Sequence, residues 1–270
     1  MHNDNNQSAV LSSDLVDRKW LDVNIPCQAA CPIMTNIPEY IQAIMNGDYQ
    51  TAYRINPVDN VLPSILVRVC HRPCELVCRH GRDGLGGPVS ICYLKRSASD
   101  FGMVEWKPEI KKNGKTICVI GAGPAGLTAA NDLALRGYSV TIFEQYNEAG
   151  GMLRYGIPQF RLPHNIVEKD VNSITDLGVV IQTGRRIESP QELEKVKNDY
   201  DAVILANGCQ LPKKTDLKAN GAKGFFWGLD YMMAANEEKL TGHYKKVVVI
   251  GGGLPRSTVH AWPTVWAQTR

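Results

Sequence analysis

A short apolar strand that runs into a glycine-rich turn constrains the fold of this chain more than any other segment. The strand covers Thr116–Ile120, and Gly121, Gly123 and Gly126 follow it in the spacing G-x-G-x-x-G, ahead of a helical segment. The first glycine permits a tight turn, the second lets backbone amides approach a pyrophosphate, and the third lets the helix pack against the strand. A second apolar strand, Ser139–Glu144, comes next. The order strand, helix, strand predicts an α/β doubly wound (Rossmann-like) parallel sheet that binds a dinucleotide.

An acidic residue, Glu144, ends the second strand, 23 positions after Gly121. A carboxylate at that place can accept hydrogen bonds from the ribose hydroxyls of a dinucleotide. Two alternatives stay open, because a strand-end acid can be merely solvated and a glycine turn can serve tight packing alone. The turn by itself does not separate FAD from NAD as the ligand.

The cysteines form the second informative pattern. Six of the eight lie between Cys27 and Cys92, as the groups Cys27-x3-Cys31 and Cys70-x3-Cys74-x3-Cys78 and then Cys92. In a cytosolic protein such thiols indicate metal or redox chemistry rather than disulfides. A [4Fe–4S] cluster takes four ligands, usually thiolates, and suits these groups. Zinc is the alternative, although its common knuckles use C-x2-C, and six buried free thiols are the third possibility.

The N-terminal third is predicted to be mostly helical, with the cysteines in connections and first turns. Pro38 suits a first helical turn, Gly47 suits a helix end, and 91–101 is typical of a further helix. The charged stretch 105–115 contains Pro108 and Gly114 and is predicted to be a linker. We therefore predict a domain boundary here, and the family resemblance given below implies a helical iron–sulfur domain over 1–108, a FAD domain over 109–243 and the start of an NAD(P)H domain over 244–270.

Composition is that of an ordinary globular protein. The 270 residues are 44% hydrophobic and 21% charged, with a formal net charge of +3. Such a small net charge gives no reason to expect a nucleic acid or membrane partner. The first residues lack the build of a signal peptide, and no apolar run approaches the roughly 20 residues needed to span a bilayer. These observations predict a cytoplasmic protein.

A resemblance to a known family separates the two cofactors. The run "EQYNEAGGMLRYGIPQFRLP" over 144–163, together with "RVCHRPCELVC" and "GPVSICYLKR" in the cysteine region, resembles the small subunit (beta chain) of glutamate synthase. It is also similar to the N-terminal half of dihydropyrimidine dehydrogenase, and the likeness covers 27–253. It implies FAD rather than NAD at the glycine turn. The implied flavin-binding residues are Gly121, Ala122, Gly123, Pro124, Ala125, Gly126, Glu144, Gly151, Leu153 and Arg161.

The same resemblance bears on the metal site. The fullest form of the family carries two clusters and an additional C-x2-C ahead of the position of Cys27, which is absent here, so we predict one [4Fe–4S] cluster. By analogy Cys31, Cys70 and Cys74 ligate together, and the fourth ligand comes from Cys27, Cys78 or, with less weight, Cys92. We predict packing roles for Cys118 and Cys209.

The last segment departs from the family. Relatives continue after "VVVIGGG" with a helix that opens the NADPH site, whereas here Arg256 stands where close packing needs Gly or Ala. Residues 254–270 contain no Asp, Glu or Lys. When these residues are written in codons that the genetic code permits and one base is added in front, the shifted reading frame encodes a family-like helix. We therefore expect that a single-base deletion shifted the reading frame after Gly253, and that this chain does not bind NADPH although the intact family does. Sequencing of the gene tests this expectation.

The resemblance implies an electron-transfer flavoprotein. In the intact design NAD(P)H reduces FAD, and FAD passes electrons through the cluster to a partner such as a glutamate synthase large subunit. This chain is expected to be an incomplete form of that subunit. No side chain is predicted to act as a general acid, base or nucleophile. Two alternatives stay open, an iron–sulfur relay or docking module without reductase activity and an inactive fragment.

Overall fold

The computed structural model describes residues 17–102, 108–209, 211, 224–240 and 246–250. The segment 254–270, for which a changed reading frame is expected, lies outside these ranges. Contacts between residues divide the chain into two compact units. The first unit takes Met1–Gly114, Asn131–Tyr138 and Lys169–Gly178, and the second takes Lys115–Ala130, Ser139–Glu168 and Val179–Arg270. The domain limits expected at 108 and 243 stay a prediction.

The helices of the described residues precede and alternate with four short strands. The helices are α1 (Arg18–Asn24), α2 (Pro26–Ala30), α3 (Ile37–Met45), α4 (Tyr49–Asp59), α5 (Pro63–Val69), α6 (Pro73–Leu76), α7 (Arg79–Arg82), α8 (Ile91–Phe101), α9 (Pro124–Leu135), α10 (Met152–Tyr155), α11 (His164–Thr175), α12 (Pro190–Asp199) and α13 (Gly228–Asn236). The strands are β1 (Thr116–Ile120), β2 (Ser139–Phe143), β3 (Val180–Gln182) and β4 (Ala202–Leu205). No described helix combines the length and the apolar character needed to cross a membrane.

The core of the first unit lies between α3, α4 and α8. Pro38 stands in the first turn of α3, and Gly47, with a φ of 76°, follows its end. Asp48 then caps α4, because its carboxylate accepts a hydrogen bond of 2.9 Å from the backbone N–H of Thr51. The apolar faces of these helices pack together around Tyr40, which is fully buried. The helix ends predicted from Pro38 and Gly47 are confirmed.

A carboxylate from much later in the chain completes α5. Pro63 begins this helix, and the next two backbone N–H groups, of Ser64 and Ile65, donate to the two carboxylate oxygens of Asp170 at 3.3 and 2.9 Å. These N–H groups have no partner within the helix. Lys169, the preceding residue, donates a 2.7 Å hydrogen bond to the carbonyl of Ser99. The segment Lys169–Gly178 therefore belongs to the first unit through specific polar contacts as well as packing.

The second unit contains a parallel four-stranded sheet in the order β3-β2-β1-β4. In register, Ile120 pairs with Phe143 on one side and with Leu205 on the other, so the ends of β1, β2 and β4 lie level at one edge of the sheet. The predicted strand–helix–strand unit and parallel sheet are confirmed. Its core is apolar, with Val119 and Ile142 fully buried.

Two details differ from the prediction. The apolar run in "YDAVILANG" predicts a buried strand, but β4 lies at the edge of the sheet that the described strands form, and Leu205 is 63% exposed. The apolar run in "KKVVVIGGG" likewise predicts a buried strand, yet the described residues 246–250 form none, and Val248 is 87% exposed. An extended segment becomes a strand only when a neighbour accepts and donates its backbone hydrogen bonds. Apolar composition alone does not supply that neighbour.

Candidate functional site: a glycine turn and a group of cysteines

Two glycines of the turn are required by its backbone. Gly121 has a φ of 108°, and a Cβ at this residue would overlap the carbonyl oxygen of Ala206. A Cβ at Gly126 would overlap the carbonyl oxygen of Gly121, so α9 could not pack this closely against the turn. Gly123 differs, because a Cβ there would meet nothing within 4 Å. The backbone at Gly123 is therefore open to a ligand, as a pyrophosphate-binding turn requires.

Glu144 lies directly beside the turn. The residue is buried, and its two carboxylate oxygens accept hydrogen bonds from the backbone N–H groups of Ala122, at 2.7 Å, and Tyr146, at 2.9 Å. These bonds order the carboxylate against the turn rather than leaving it solvated. A carboxylate offers about four lone-pair positions, so two bonds leave capacity for further donors.

A second pair of glycines contacts the same turn. The N–H of Gly150 donates to the carbonyl of Ala122 at 2.9 Å, and a Cβ at Gly151 would lie 2.8 Å from the Cα of Gly123. Gly151 has a φ of 53°, which favours glycine. The structure thus brings together Ala122, Gly123, Glu144 and Gly151 of the predicted flavin residues.

The remaining predicted flavin residues differ in exposure. Pro124 and Ala125 open α9 and are exposed, and Leu153 is buried in α10. Arg161 is exposed. Among the hydrogen bonds between described residues, Arg161 takes part in one, from its backbone N–H to the carbonyl of Pro158 at 2.9 Å.

Sequence reasoning missed a polar contact near this turn. Tyr155 is buried, with its ring centroid 4.5 Å from that of Tyr146. The side-chain amide of Asn236 donates to the carbonyl of Tyr155 at 2.9 Å, while its buried Oδ1 has no hydrogen-bond partner among the residues that the structure describes. Because 81 residues separate Asn236 from Tyr155, no local pattern could have indicated this contact.

Six cysteines of the first unit lie at helix ends that pack on each other. Helix α2 packs against α6, and α5 and α6 both pack against α8. Cys27 lies in α2, Cys74 in α6 and Cys92 in α8, while Cys31, Cys70 and Cys78 lie next to the ends of α2, α5 and α7. All six are free thiols. Helix packing therefore gathers side chains that are far apart in the sequence.

Backbone N–H and carbonyl groups form hydrogen bonds with several of these thiols. The sulfur of Cys70 accepts a 3.3 Å hydrogen bond from the N–H of Arg72, and that of Cys78 accepts one of 3.5 Å from Val89. The thiol of Cys92 donates to the carbonyl of Val67 at 3.3 Å. Such contacts orient sulfur ligands and tune a metal centre.

Burial and repulsion between neighbouring thiolates raise the pKa values of several of these thiols. Burial, together with the smaller repulsion from the thiolates of Cys31 and Cys70, raises the pKa of Cys74 to about 12. Burial likewise raises the pKa of Cys27, with additional repulsion from Cys78 and Cys31. A bound metal removes this cost, because it takes the thiolate form directly.

From the sequence, Cys92 is the least favoured candidate for the fourth cluster ligand, but the structure places it with the other cysteines. Burial raises the pKa of its thiol, and the next largest influence is repulsion by Cys70. The predicted packing role of Cys118 agrees with its burial in β1. That of Cys209 is wrong, because this residue follows β4 at the sheet edge and is exposed.

The donor set is chemically suited to an iron–sulfur cluster, because all six side chains are free thiols. Within the described residues no three Cys, His, Asp or Glu side chains are arranged to hold one metal ion. A [4Fe–4S] cluster is a larger body whose four thiolate ligands surround it from separate directions. Free thiols on helices that pack against one another are donors of the kind that such a cluster takes.

Comparison with known proteins identifies the class. Residues 115–254 match the family described as pyridine nucleotide-disulphide oxidoreductase, and residues 20–106 match the one described as dihydropyrimidine dehydrogenase domain II, 4Fe-4S cluster. The chain belongs to the pyridine nucleotide-disulphide oxidoreductase family. These matches confirm the predicted order of an iron–sulfur domain followed by a flavin domain, and with it the [4Fe–4S] and FAD cofactors. They also confirm the resemblance to the glutamate synthase small subunit and to dihydropyrimidine dehydrogenase.

Individual relatives are subunits of larger oxidoreductases. The chain is 40% identical over 241 residues to the NADPH-Fe(3+) oxidoreductase subunit beta of Geobacter sulfurreducens, covering 84% of this chain and 35% of that protein. It is 36% identical over 259 residues to the NADP(+)-dependent formate dehydrogenase subunit beta of Moorella thermoacetica, covering 86% and 36%. It is 31% identical over 253 residues to the glutamate synthase [NADPH] small chain of Mycobacterium tuberculosis, covering 87% and 51%. The chain spans about a third to a half of the length of these relatives.

Proposed function

We propose that this chain is an electron-transfer flavoprotein subunit that carries FAD and one [4Fe–4S] cluster and passes electrons to a partner oxidoreductase subunit. The observation that carries the proposal is a single chain with both an open glycine turn and a convergent group of free cysteines. The names of the relatives support an NADPH-linked subunit of this kind. The full route, from NAD(P)H through FAD and the cluster to the partner, is part of the proposal, as are the identity of that partner and the incompleteness of this chain.

The residues of the turn would bind and orient the flavin dinucleotide. The N-terminus of α9 presents free backbone N–H groups to the pyrophosphate, which comes close because Gly123 has no side chain. Glu144, ordered by Ala122, would accept the ribose hydroxyls with its remaining lone pairs. Gly151 keeps the neighbouring backbone close to the turn without crowding it. When bound, the flavin exchanges electron pairs for single electrons and the cluster carries single electrons, which is chemistry that the protein itself does not supply.

The cysteines would hold the cluster. Cys31, Cys70 and Cys74 are proposed as three ligands, with the fourth drawn from Cys27, Cys78 and Cys92. Cys70 is exposed, whereas Cys74 is buried, so one side of the proposed centre faces the surface of its unit. Electrons could leave toward a partner subunit from that side.

The flavin site is tested by one added methyl group. Gly123→Ala places a Cβ in open space, so the fold should tolerate it, but the methyl would occupy the approach of the pyrophosphate. Gly87→Ala is the matched control, because a Cβ there also meets nothing within 4 Å and Gly87 lies in the first unit. Both variants and the unaltered chain are purified without oxygen, and released flavin is measured per polypeptide.

We expect Gly123→Ala to lower the flavin content at least tenfold, while Gly87→Ala retains that of the unaltered chain. Equal flavin content in the two variants would contradict the proposed site. An unaltered chain with iron–sulfur absorption but no flavin would favour the relay module instead. A chain with neither chromophore would be an inactive fragment.

A further inference from the structure

The side chain of Lys95 ends among the cysteines. Lys95 lies in α8 three residues after Cys92, and its ammonium donates a 3.2 Å hydrogen bond to the hydroxyl of Thr35. That hydroxyl is buried, with Thr35 only 1% exposed, and it also accepts a 3.7 Å hydrogen bond from the thiol of Cys31. One hydroxyl group therefore connects the ammonium to a proposed cluster ligand.

Among the residues that the structure describes, no carboxylate forms an ion pair with this ammonium. Of the ion pairs formed between described residues, none includes Lys95. Burial lowers the pKa of the Lys95 ammonium, and the influences that oppose this lowering come from four thiolates, those of Cys31, Cys70, Cys92 and Cys74. A buried charge persists in a fold when an opposite charge compensates it. Among these neighbours, the groups that can supply the compensating negative charge are the cysteine sulfurs.

The neighbours of Lys95 also show where that charge acts. Arg96, the next residue, points away, because its guanidinium pairs with Asp100 at 3.3 Å and is 49% exposed. Lys95 instead directs its ammonium toward Thr35, whose hydroxyl also contacts the thiol of Cys31. A cluster ligated by thiolates carries net negative charge, and each reduction step adds one more. A fixed cation at this distance favours the reduced form.

We propose that Lys95 is a positioning residue for the cluster, which holds a positive charge against Cys31, Cys70, Cys74 and Cys92 and thereby raises the reduction potential. Thr35 fixes the ammonium in that place. This inference rests on the proposed function, because it requires that the chain bind the cluster.

The test compares substitutions that separate charge from size. Lys95→Met removes the charge and keeps the length of the side chain, Lys95→Arg keeps the charge, and Arg96→Met removes a charge from the adjacent position as a control. The full chain is purified anaerobically, iron is measured per polypeptide, and the midpoint potential of the cluster is determined by a redox titration followed by electron paramagnetic resonance.

We expect Lys95→Met to shift the midpoint potential to a more negative value, and Lys95→Arg and Arg96→Met to stay near that of the unaltered chain. If Lys95→Met loses the cluster while Lys95→Arg keeps it, the need for a positive charge is upheld. An unchanged or more positive potential in Lys95→Met overturns the inference, and so does loss of the cluster in both Lys95 variants, which would indicate packing. Absence of iron from the unaltered chain would defeat the proposed function itself.

Discussion

The buried carboxyl group of Asp170 should make the stability of this chain depend on pH in an unusual direction. Asp170 is fully buried, and burial raises the pKa of its carboxyl group from an ordinary 3.8 to about 6. The hydrogen bonds from Ile65 and Ser64 and the charge of Lys169 oppose this rise without cancelling it. Between pH 4 and pH 6 the folded chain therefore binds more protons at this residue than the unfolded chain does.

The sign and the size follow from linkage. Stability falls with rising pH wherever the folded state binds more protons. The contribution of protonated Asp170 is complete below about pH 4 and is lost as the pH rises through about 6. Since a tenfold change in proton affinity corresponds to about 1.4 kcal/mol, the rise from 3.8 to about 6 is worth at most about 3 kcal/mol.

Two substitutions separate this effect from the capping of α5. Asp170→Asn is similar in size and neutral at every pH, so its free energy of unfolding should lack this contribution to the pH dependence. Near pH 7 it avoids the cost of the buried charge, up to about 3 kcal/mol. Its side-chain NH2 cannot accept a hydrogen bond, however, so one of the two backbone N–H groups loses its partner at a cost of about 1–3 kcal/mol, which does not depend on pH. Asp170→Ala leaves the backbone N–H groups of Ser64 and Ile65 without a partner, and each costs about 1–3 kcal/mol. It should be the least stable of the three near pH 7.

Urea unfolding followed by circular dichroism from pH 4 to pH 7 measures these differences. The difference between the unaltered chain and Asp170→Asn is the informative quantity, because all other titrating groups cancel. A difference that stays constant across this range would refute the reasoning. So would a lower stability of Asp170→Asn at pH 7 than at pH 4, relative to the unaltered chain.

Three further substitutions test the two sites. Gly126→Ala should prevent α9 from packing on the turn, because its Cβ would overlap the carbonyl oxygen of Gly121, and a lower midpoint of thermal unfolding would show it. Cys74→Ala should remove most of the iron, whereas Cys118→Ala, also at a buried thiol, should leave the iron content unchanged; equal iron in both variants would contradict the ligand assignment. Glu144→Ala should lower the free energy of unfolding by about 1–3 kcal/mol for each of the two backbone N–H groups left without a partner, as denaturant unfolding would measure.

The parts of the fold that the sequence could predict are those with a strong local signal. Helix α8 follows a loop rich in glycine and covers 91–101 as expected, and β1 covers the apolar run ahead of the turn. Strand β3 has only three residues, none of them buried, so neither length nor alternation marked it. The segment 246–250 shows the opposite case, because an apolar run is not a strand without a neighbour.

The candidate site divides in the same way. The glycine spacing and the cysteine groups are local patterns, and the structure brings most of their members together. The positions of Lys95 and Asp170 could not be predicted, since their hydrogen-bond partners lie 60 and about 105 residues away in sequence. From the sequence, a lysine in a helix is expected to be solvated, and only the packing of the chain shows that its neighbours include thiols.

The cap of α5 has a consequence for how the iron–sulfur region is made. During synthesis the helices of residues 20–106 leave the ribosome well before Asp170, so α5 must wait for its acceptor until the segment 169–178 has emerged. Lys169 reaches back to Ser99 in the same way. In a recombinant fragment that stops at the end of the matched region, the helix next to Cys70 would therefore be frayed. A longer fragment that includes residue 178 is the better choice for cluster reconstitution.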